Sequence, residues 1–370
     1  MLSIIIPTYN EMNNVNKTAA YITRLSCLEP YEIIFVDDSN DDTPLLLENL
    51  AQTDHHVRFL HRNNEKGLAT AVITGFELAQ GDILAVMDGD LQHPPELLPL
   101  MLQAIEDGAD IVIPSRFLPS GNNGVNFGRR IISAAARSIG RLSLKALRHI
   151  NDPTSGFFMF RKPIIKDIIL RPLGWKILIE ILVRANYKNV TEIPYKFKPR
   201  DSGTSKMSIA EQWNYLRHLM RLIIESPQDR RFYLFSLVGL IGVIVNLLFY
   251  VLLVKEMNLA PHRAALISAT LAMLSNYGLN KLLTWSDIKN GHLLSEFFKY
   301  VIASCIGISV NICLLYLLYY RLRCNYLFAN VGGIFVGAIW NYIINNHWTF
   351  AGKIATSVSR SRIKKMHVNF

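Results

Sequence analysis

Two aspartates in one short segment have the type and spacing of metal ligands. Asp88-Gly89-Asp90 follows an apolar run at 83–87 and precedes Leu91-Gln92-His93-Pro94-Pro95. A hard divalent cation takes carboxylate oxygens, usually together with substrate phosphates. The alternative is a solvated turn, because Asp-Gly pairs favour turns. Asp37-Asp38 and the segment 7–11, which follow two other apolar runs, favour the metal site.

Arginines suited to phosphate oxygens lie in later segments. The planar guanidinium binds phosphate through two parallel hydrogen bonds. The segments are Ser115-Arg116-Phe117, Arg129-Arg130-Ile131-Ile132-Ser133 and Arg200-Asp201-Ser202-Gly203-Thr204-Ser205-Lys206. A surface ion pair is the better interpretation of a lone arginine, but the clustering favours phosphate binding by Arg116, Arg129 and Arg200.

The elements that must position these residues follow from the apolar pattern. Short β-branched runs predict strands at 2–6, 32–36, 57–61, 83–87 and 110–114, alternating with helices near 13–26, 43–52, 67–79 and 95–107. Such alternation is typical of a mostly parallel sheet with helices on both faces. Ligands bind at the carboxyl ends of its strands, where the polar segments converge. We therefore predict an α/β, Rossmann-like domain in the first half of the chain, with its ligand site at this edge of the sheet.

The second half of the chain has the composition of a membrane domain. Apolar segments lie at about 232–254, 264–285, 297–320 and 325–348, each near the ~20 residues that a helix needs to cross a bilayer. Charged residues cluster between these segments, as spanning helices require. We predict an all-α, four-helix transmembrane domain over 232–350.

An internal repeat runs through this membrane half. Six polar or small residues recur at an offset of 65 positions: Gly242, Asn246, Asn276, Tyr277, Asn280 and Thr284 become Gly307, Asn311, Asn341, Tyr342, Asn345 and Thr349. Phe232 and Phe297 are related in the same way, and Trp285 corresponds to Phe350. The repeat predicts two copies of a two-helix hairpin.

Orientation and partners follow from charge. The start of the chain lacks a signal-peptide pattern, an even number of spans returns the C-terminus to the starting side, and the basic tail 351–370 fits the positive-inside rule. We therefore expect the catalytic domain and the C-terminus in the cytoplasm. The net charge of +10 suits anionic headgroups and phosphorylated substrates, and we expect no nucleic-acid partner.

Two further segments have the pattern of helices at a membrane surface. Residues 128–149 mix arginines and lysines with isoleucines and leucines, as interfacial amphipathic helices do. The alternative is an ordinary solvated helix face over a protein core. Within the juxtamembrane segment 207–231, Trp213, Leu216, Leu219 and Leu222 predict a second interfacial helix that leads into the first span.

Together these motifs resemble the catalytic domain of family-two inverting glycosyltransferases, and most closely dolichol-phosphate mannose synthases. The resemblance covers residues 1–206 and includes Asp152-Pro153-Thr154-Ser155-Gly156-Phe157 as well as the motifs above. The membrane half is similar to GtrA-like four-helix domains. The resemblance implies a GT-A fold and a polyprenyl-phosphate glycosyltransferase.

The resemblance also implies a role for each motif residue. Pro7, Tyr9, Glu11, Val36 and Asp38 would hold the nucleoside, with Gly89 close to the nucleotide. Asp88, Asp90 and Gln92 would bind Mg²⁺ or Mn²⁺. Arg116, Arg129 and Ser133 would bind phosphate groups of donor and acceptor. Arg200 and Lys206 would close over the diphosphate, Lys176 would add charge, and Asp152 would lie near the sugar.

The implied reaction is transfer of mannose from GDP-mannose to dolichyl or a related polyprenyl phosphate, with inversion at the anomeric carbon. Asp88, Asp90, Arg116 and Arg129 would carry the catalysis. Transfer from UDP-glucose or another UDP-sugar to undecaprenyl phosphate is the alternative, because such relatives share these motifs. A glycolipid-binding or flipping protein and a metal-dependent phosphatase are the rivals from other classes. The preferred ion, the lipid length and the oligomeric state stay open.

Overall fold

The computed structural model describes residues 1–63, 66–118, 127–196, 209–289, 293–351 and 353–354. The chain divides into two compact units, of which the first is Met1–Ser226 and the second begins at Pro227.

A seven-stranded sheet forms the centre of the first unit. Its strands are β1 (Leu2–Thr8), β2 (Tyr31–Asp37), β3 (Val57–His61), β4 (Ile83–Val86), β5 (Ile111–Ser115), β6 (Phe158–Arg161) and β7 (Val190–Pro194). They are arranged in the order β3-β2-β1-β4-β6-β5-β7. β6 is antiparallel to β4 and β5, and the other pairs are parallel. The mostly parallel α/β sheet is confirmed; β6 and β7 were not predicted.

Helices cover both faces of this sheet. They are α1 (Val15–Thr23), α2 (Thr43–Thr53), α3 (Leu68–Leu78), α4 (Leu98–Glu106), α5 (Phe127–Ser143), α6 (Ile177–Arg184) and α7 (Ile209–Glu225). Alternate residues of β1 enter two separate cores: Ile5 packs on one side of the sheet, and Ile4 and Ile6 pack on the other. Burial of both faces explains why this strand is apolar throughout.

The helix predicted over 128–149 is shorter than expected. α5 ends at Ser143, and Leu144 and Leu147 are fully buried in the protein core. Ile139 and Leu142 are exposed. The prediction of one amphipathic helix to residue 149 was therefore wrong at its C-terminal end, where the apolar residues turn inward to the core.

One face of the juxtamembrane helix α7 packs into the core of the first unit. Leu219 and Leu222 are buried in its core, whereas Trp213 and Leu216 are exposed. Only half of the apolar pattern that suggested an interfacial helix therefore lies on the surface. The other half is the face by which α7 packs on the rest of the unit.

A buried hydrogen bond links α7 to α6. Glu180 Oε2 lies 2.6 Å from His218 Nε2, and both side chains are almost completely buried. The other carboxylate oxygen accepts hydrogen bonds from Arg184 Nε and from the backbone N–H of Arg171, each at 2.7 Å. Buried charges need such partners, so this network fixes the packing of the two helices.

The described part of the second unit contains four long helices. They are α8 (Pro227–Lys255), α9 (Pro261–Leu279), α10 (Leu293–Tyr316) and α11 (Tyr326–Ile344). One π-helical turn extends each of the last three, at Asn280–Thr284, Leu317–Arg321 and Asn345–Thr349. The helical segments Pro227–Lys255 and Leu293–Arg321 are long and apolar enough to cross a membrane.

The 65-residue repeat is visible in the packing of this unit. Phe235 on α8 contacts Tyr342 on α11 with ring centroids 5.6 Å apart, and its counterpart pair, Tyr300 and Tyr277, lies at 5.4 Å. Trp285 stacks on its own counterpart, Phe350, at 4.4 Å. The predicted two-fold repeat is confirmed.

Candidate active site

The carboxyl ends of the first three strands are tied together by one buried carboxylate. Asp37 accepts hydrogen bonds from Thr8 Oγ1 at 2.8 Å and Ser39 Oγ at 2.5 Å. Its other oxygen lies 2.7 Å from His61 Nδ1. Asp37 is completely buried, so its oxygens depend on these hydrogen bonds. They hold the segment after β1 beside the segment after β2.

The predicted nucleoside residues lie at these strand ends. Pro7 and Val36 are partners in the β1–β2 register, and both are buried. Glu11 receives the side-chain amide of Asn14 at 2.7 Å and donates its backbone N–H to Thr43 Oγ1. Tyr9 is exposed at the open edge of the sheet. The structure therefore brings this set together.

Asp38 has a buried partner that the sequence did not reveal. Arg62 donates from Nε and Nη2 to the two oxygens of Asp38, at 2.8 and 2.7 Å. The backbone N–H of Gly67 donates to Asp38 Oδ2 at 2.9 Å. Both charged side chains are more than nine-tenths buried, so the pair fixes the direction of the Asp38 carboxylate.

The two aspartates of the Asp88-Gly89-Asp90 motif lie in a turn directly after β4. Asp90 is buried, and its Oδ1 accepts the backbone N–H of Gln92 at 3.1 Å. Leu91, between Asp90 and Gln92, has φ 60°, a conformation that a non-glycine residue adopts only when its surroundings enforce it. The Asp88 side chain is 37% exposed and lies at the open edge.

Two glycines let other segments approach this turn closely. A Cβ atom at Gly89 would lie 3.3 Å from Ile6 Cγ2, and a Cβ atom at Gly156 would lie 3.1 Å from Asp88 Oδ2. Real Cβ atoms seldom make such short contacts. Glycine at these two positions therefore allows the segment 152–156 to lie directly beside the Asp88 carboxylate.

His93 accepts a hydrogen bond from the first residue of this turn. The backbone N–H of Asp88 donates to His93 Nδ1 at 3.2 Å, and the ring stacks on Phe157 with centroids 5.3 Å apart. Burial lowers the pKa of His93 to about 4, so the neutral ring has its lone pair on Nδ1 and its proton on Nε2. The Asp88 carboxylate is 3.6 Å from Nδ1, which is beyond hydrogen-bond distance.

Arg116 follows β5 and is held by Asp152. Its Nε and Nη2 donate to the two oxygens of Asp152 at 2.7 and 2.9 Å, and Asp152 is completely buried. Burial alone would lower the pKa of Arg116, but the hydrogen bonds and charge of Asp152 raise it overall. Asp152 therefore positions this arginine; its expected place near the sugar stays a prediction.

Lys176 lies in the same site, at the N-terminal end of α6. Its Nζ donates to the backbone oxygen of Thr154 at 3.0 Å. Burial lowers the pKa of Lys176, and the charge of Arg116 lowers it further, while Asp152 and Asp88 raise it. These mutual effects indicate that its ammonium group lies near Arg116, Asp152 and Asp88; its part in donor binding stays a prediction.

Some predicted residues cannot be located by side chain. Arg200 and Lys206 lie outside the described residues, and Arg129 and Ser133 lie on α5 with side chains that the description does not cover. Sequence reasoning missed Arg62 and the role of His93. The position of Arg62 directly after β3, opposite Asp37-Asp38, was the one available signal.

Two family models match the chain, one to each half. Residues 3–169 match the family described as glycosyl transferase family 2. Residues 234–350 match the family described as GtrA/DPMS, transmembrane domain.

Several curated proteins are similar along much of their length. A dolichol-phosphate mannosyltransferase of Pyrococcus furiosus is 38% identical over 351 residues, which cover 95% of this chain and 99% of that protein. The dolichol-phosphate mannosyltransferase of Saccharomyces cerevisiae is 33% identical, with 60% of this chain and 86% of that protein covered. A polyprenol monophosphomannose synthase of Mycolicibacterium smegmatis is 34% identical over 55% of this chain and 80% of that protein.

One of the solved structures that the chain matches is glucosyl-3-phosphoglycerate synthase of Mycobacterium tuberculosis. It has a TM-score of 0.46 and 17% sequence identity, and the match covers 60% of this chain and 78% of that chain.

Proposed function

The chain belongs to the dolichol-phosphate mannosyltransferase family, and we propose that it transfers mannose from GDP-mannose to dolichyl phosphate or a related polyprenyl phosphate. It is a glycosyltransferase with a family-two catalytic domain followed by a GtrA/DPMS membrane domain. The mannosyltransferases among its relatives, together with the charges at the carboxyl ends of its strands, support mannose as the sugar and a lipid phosphate as the acceptor.

One structural observation supports the transferase site most directly. The segment 152–156 contacts three charged groups of the site: Arg116 at Asp152, Lys176 at Thr154, and Asp88 at Gly156. A donor diphosphate and an acceptor phosphate bring several negative charges into one pocket. Arg116 and Lys176, together with a divalent cation held by the carboxylates after β4, would provide the required opposite charge.

The residues after β4 fit a divalent cation. Asp88, Asp90 and Gln92 offer the oxygen ligands that Mg²⁺ and Mn²⁺ prefer, and the absence of a side chain at Gly156 leaves space beside the Asp88 carboxylate. When bound, the cation would act as a Lewis acid that offsets the charge of the donor diphosphate. Mg²⁺ and Mn²⁺ are both consistent with this donor set.

The remaining catalytic work is positioning and charge stabilisation. A phosphate monoester has a second pKa of about 6, so the acceptor oxygen is largely ionised at pH 7 and needs no general base. Asp152 occupies the Nε and Nη2 side of Arg116, and phosphate would be bound by the other N–H groups of that guanidinium. With the acceptor held in line, attack on the anomeric carbon inverts its configuration.

The nucleoside would be held on the β1–β2 side of the site. Asp38 is fixed by Arg62 and by the backbone of Gly67, so its carboxylate presents one defined direction to a base or ribose. Tyr9 and Glu11 line the same edge of the sheet. These residues would bind the guanosine half of GDP-mannose.

We place the catalytic unit and the C-terminus in the cytoplasm and the second unit in the bilayer. The GtrA/DPMS match and the two long apolar helical segments support a membrane location. The excess of lysine and arginine in the tail 351–370 supports a cytoplasmic position for the C-terminus.

The proposal is tested by sugar transfer with the purified full-length protein in detergent. Labelled GDP-mannose and UDP-glucose are each incubated with dolichyl phosphate and Mn²⁺, with and without a chelator. We expect label in the lipid fraction from GDP-mannose alone, and loss of that label with the chelator. Label from UDP-glucose alone would mean that the protein is a glycosyltransferase whose donor is not GDP-mannose. Release of free sugar without lipid would indicate a hydrolase.

A further inference from the structure

His93 has a contact that the reaction as described does not use. β4 pairs with antiparallel β6 up to Val86 and Phe158, and the same register continued by two residues would place Asp88 opposite Gly156. The pairing stops before that point, and the backbone N–H of Asp88 donates to His93 Nδ1 instead, at 3.2 Å. The imidazole thus takes the place of the next strand contact.

The ring of His93 is itself held in one orientation. It is 3% exposed, stacks on Phe157 at 5.3 Å, and meets the edge of Tyr195 at 6.4 Å. A Cβ atom at Gly156 would lie 3.4 Å from its Cε1. Contacts on several sides leave the imidazole little freedom, so its Nδ1 is a fixed acceptor.

The hydrogen bonds of the turn connect its two ends. Asp90 Oδ1 accepts the N–H of Gln92, which fixes the second half, and His93 Nδ1 accepts the N–H of Asp88, which fixes the first half. Asp88 is the more exposed of the two carboxylates. The hydrogen bond that fixes its backbone therefore also limits the directions in which its carboxylate can point.

We propose that His93 is a positioning residue for the metal site: by accepting the backbone N–H of Asp88, it holds the Asp88 carboxylate where Asp90 and Gln92 can share a divalent cation with it. This inference rests on the metal site of the proposed function. Groups that orient metal ligands typically contribute 10- to 100-fold to metal affinity, which sets the size of the expected effect.

The test is direct binding of Mn²⁺, measured from the electron paramagnetic resonance signal of the free ion. Full-length protein in detergent is titrated with Mn²⁺ alone and again in the presence of GDP. The variants are His93→Leu, which removes the acceptor, His93→Asn, which places a carboxamide oxygen near the position of Nδ1, and His93→Gln, which moves the carboxamide one methylene farther away. His262→Asn is the control, because His262 is exposed near the start of α9, outside this site.

We expect the Kd for Mn²⁺ to rise by at least about 10-fold in His93→Leu and His93→Gln, and to stay within about 3-fold of wild type in His93→Asn and His262→Asn. The Asn and Gln pair keeps the test decisive if His93→Leu does not fold. Equal Mn²⁺ affinity in His93→Gln and wild type would overturn the positioning role. Failure of wild type to bind Mn²⁺, together with chelator-resistant transfer, would instead overturn the metal site itself.

Discussion

Arg116 and Asp152 form a two-point ion pair at the centre of the site, with Nε–Oδ2 at 2.7 Å and Nη2–Oδ1 at 2.9 Å. Asp152 is in turn held by β7, because Glu192 Oε1 accepts its backbone N–H at 3.0 Å. The guanidinium is therefore oriented before any phosphate arrives. Such preorganisation is the condition under which a charged group stabilises a transition state efficiently.

The first prediction concerns this pair. Asp152→Asn keeps the shape of the side chain but removes the charge that orients Arg116, so we expect kcat to fall by roughly 100-fold with a much smaller change in the donor KM. Initial rates of lipid labelling at saturating donor measure this. Asp110→Asn is the control, because Asp110 accepts two backbone N–H groups but lies outside the site. A kcat within 2-fold of wild type would show that Asp152 does not support catalysis.

The second prediction concerns the Asp38–Arg62 pair. Arg62→Met leaves a buried carboxylate without its counter-ion, which is strongly unfavourable, and the base pocket loses its fixed acceptor. We expect the donor KM to rise by about 10-fold or more, with kcat at saturating donor less affected. Arg58→Met, which breaks a partly exposed pair with Glu32 in the same sheet, is the matched control. An unchanged donor KM in a folded Arg62→Met protein would argue against a role in nucleotide binding.

The third prediction concerns acid stability. Burial by itself would raise the pKa of Glu180, but hydrogen bonds from His218 and the Arg171 backbone and the charge of Arg184 lower it overall. The ionised form is thus favoured in the folded state, so this contribution is fully present above the unfolded glutamate pKa of about 4.3 and is lost as the pH falls through the lower folded value.

We therefore expect that, below about pH 4.3, the apparent Tm of wild type decreases more steeply with falling pH than that of Glu180→Gln. At neutral pH, Glu180→Gln should be less stable than wild type. Thermal unfolding in detergent between acidic and neutral pH measures both. Glu77→Gln, at an exposed position of α3, should follow wild type throughout. Parallel acid profiles for wild type and Glu180→Gln would mean that Glu180 makes no linked contribution.

The fourth prediction concerns helix packing in the second unit. A Cβ atom at Gly337 on α11 would lie 2.9 Å from the backbone oxygen of Gly307 on α10, whereas one at Gly239 on α8 would meet nothing within 4 Å. Small residues allow such close helix approach in membranes. Gly337→Ala should lower the Tm of the detergent-solubilised protein, and Gly239→Ala should leave it within about 1 °C of wild type. Equal Tm values would rule out the close α10–α11 packing.

The sequence was informative where the signal is local. Strands β1, β2 and β5 are apolar runs buried on both faces of the sheet, and their pattern predicts them directly. β6 has only four residues, and β7 lies at the edge of the sheet with Thr191 exposed. Neither has a periodic pattern long enough to stand out from the loops around it.

Contacts between distant segments could not be predicted in the same way. Arg62 and Asp38 are 24 residues apart, and Arg116 and Asp152 are 36 residues apart, so their pairing depends on the completed sheet. The two faces of α7 illustrate the same difficulty, since Leu219 and Trp213 are both apolar but only Leu219 is buried. The 65-residue repeat was the exception, because identical residues recur at a fixed offset and can be recognised from the sequence. Trp285 and Phe350, which correspond in the two copies, stack on each other in the structure.

The central claim is that the Asp88–Asp90 site transfers mannose to a lipid phosphate. Full-length wild type and Asp90→Asn, in which the carboxamide oxygen preserves the turn that Asp90 forms with Gln92, are incubated with labelled GDP-mannose, Mn²⁺ and dolichyl phosphate. We expect wild type to form mannosyl-phosphoryl-dolichol with the anomeric configuration inverted, and Asp90→Asn to be slower by at least about 100-fold. Equal rates in the two proteins, or no labelled lipid from wild type, would contradict the claim.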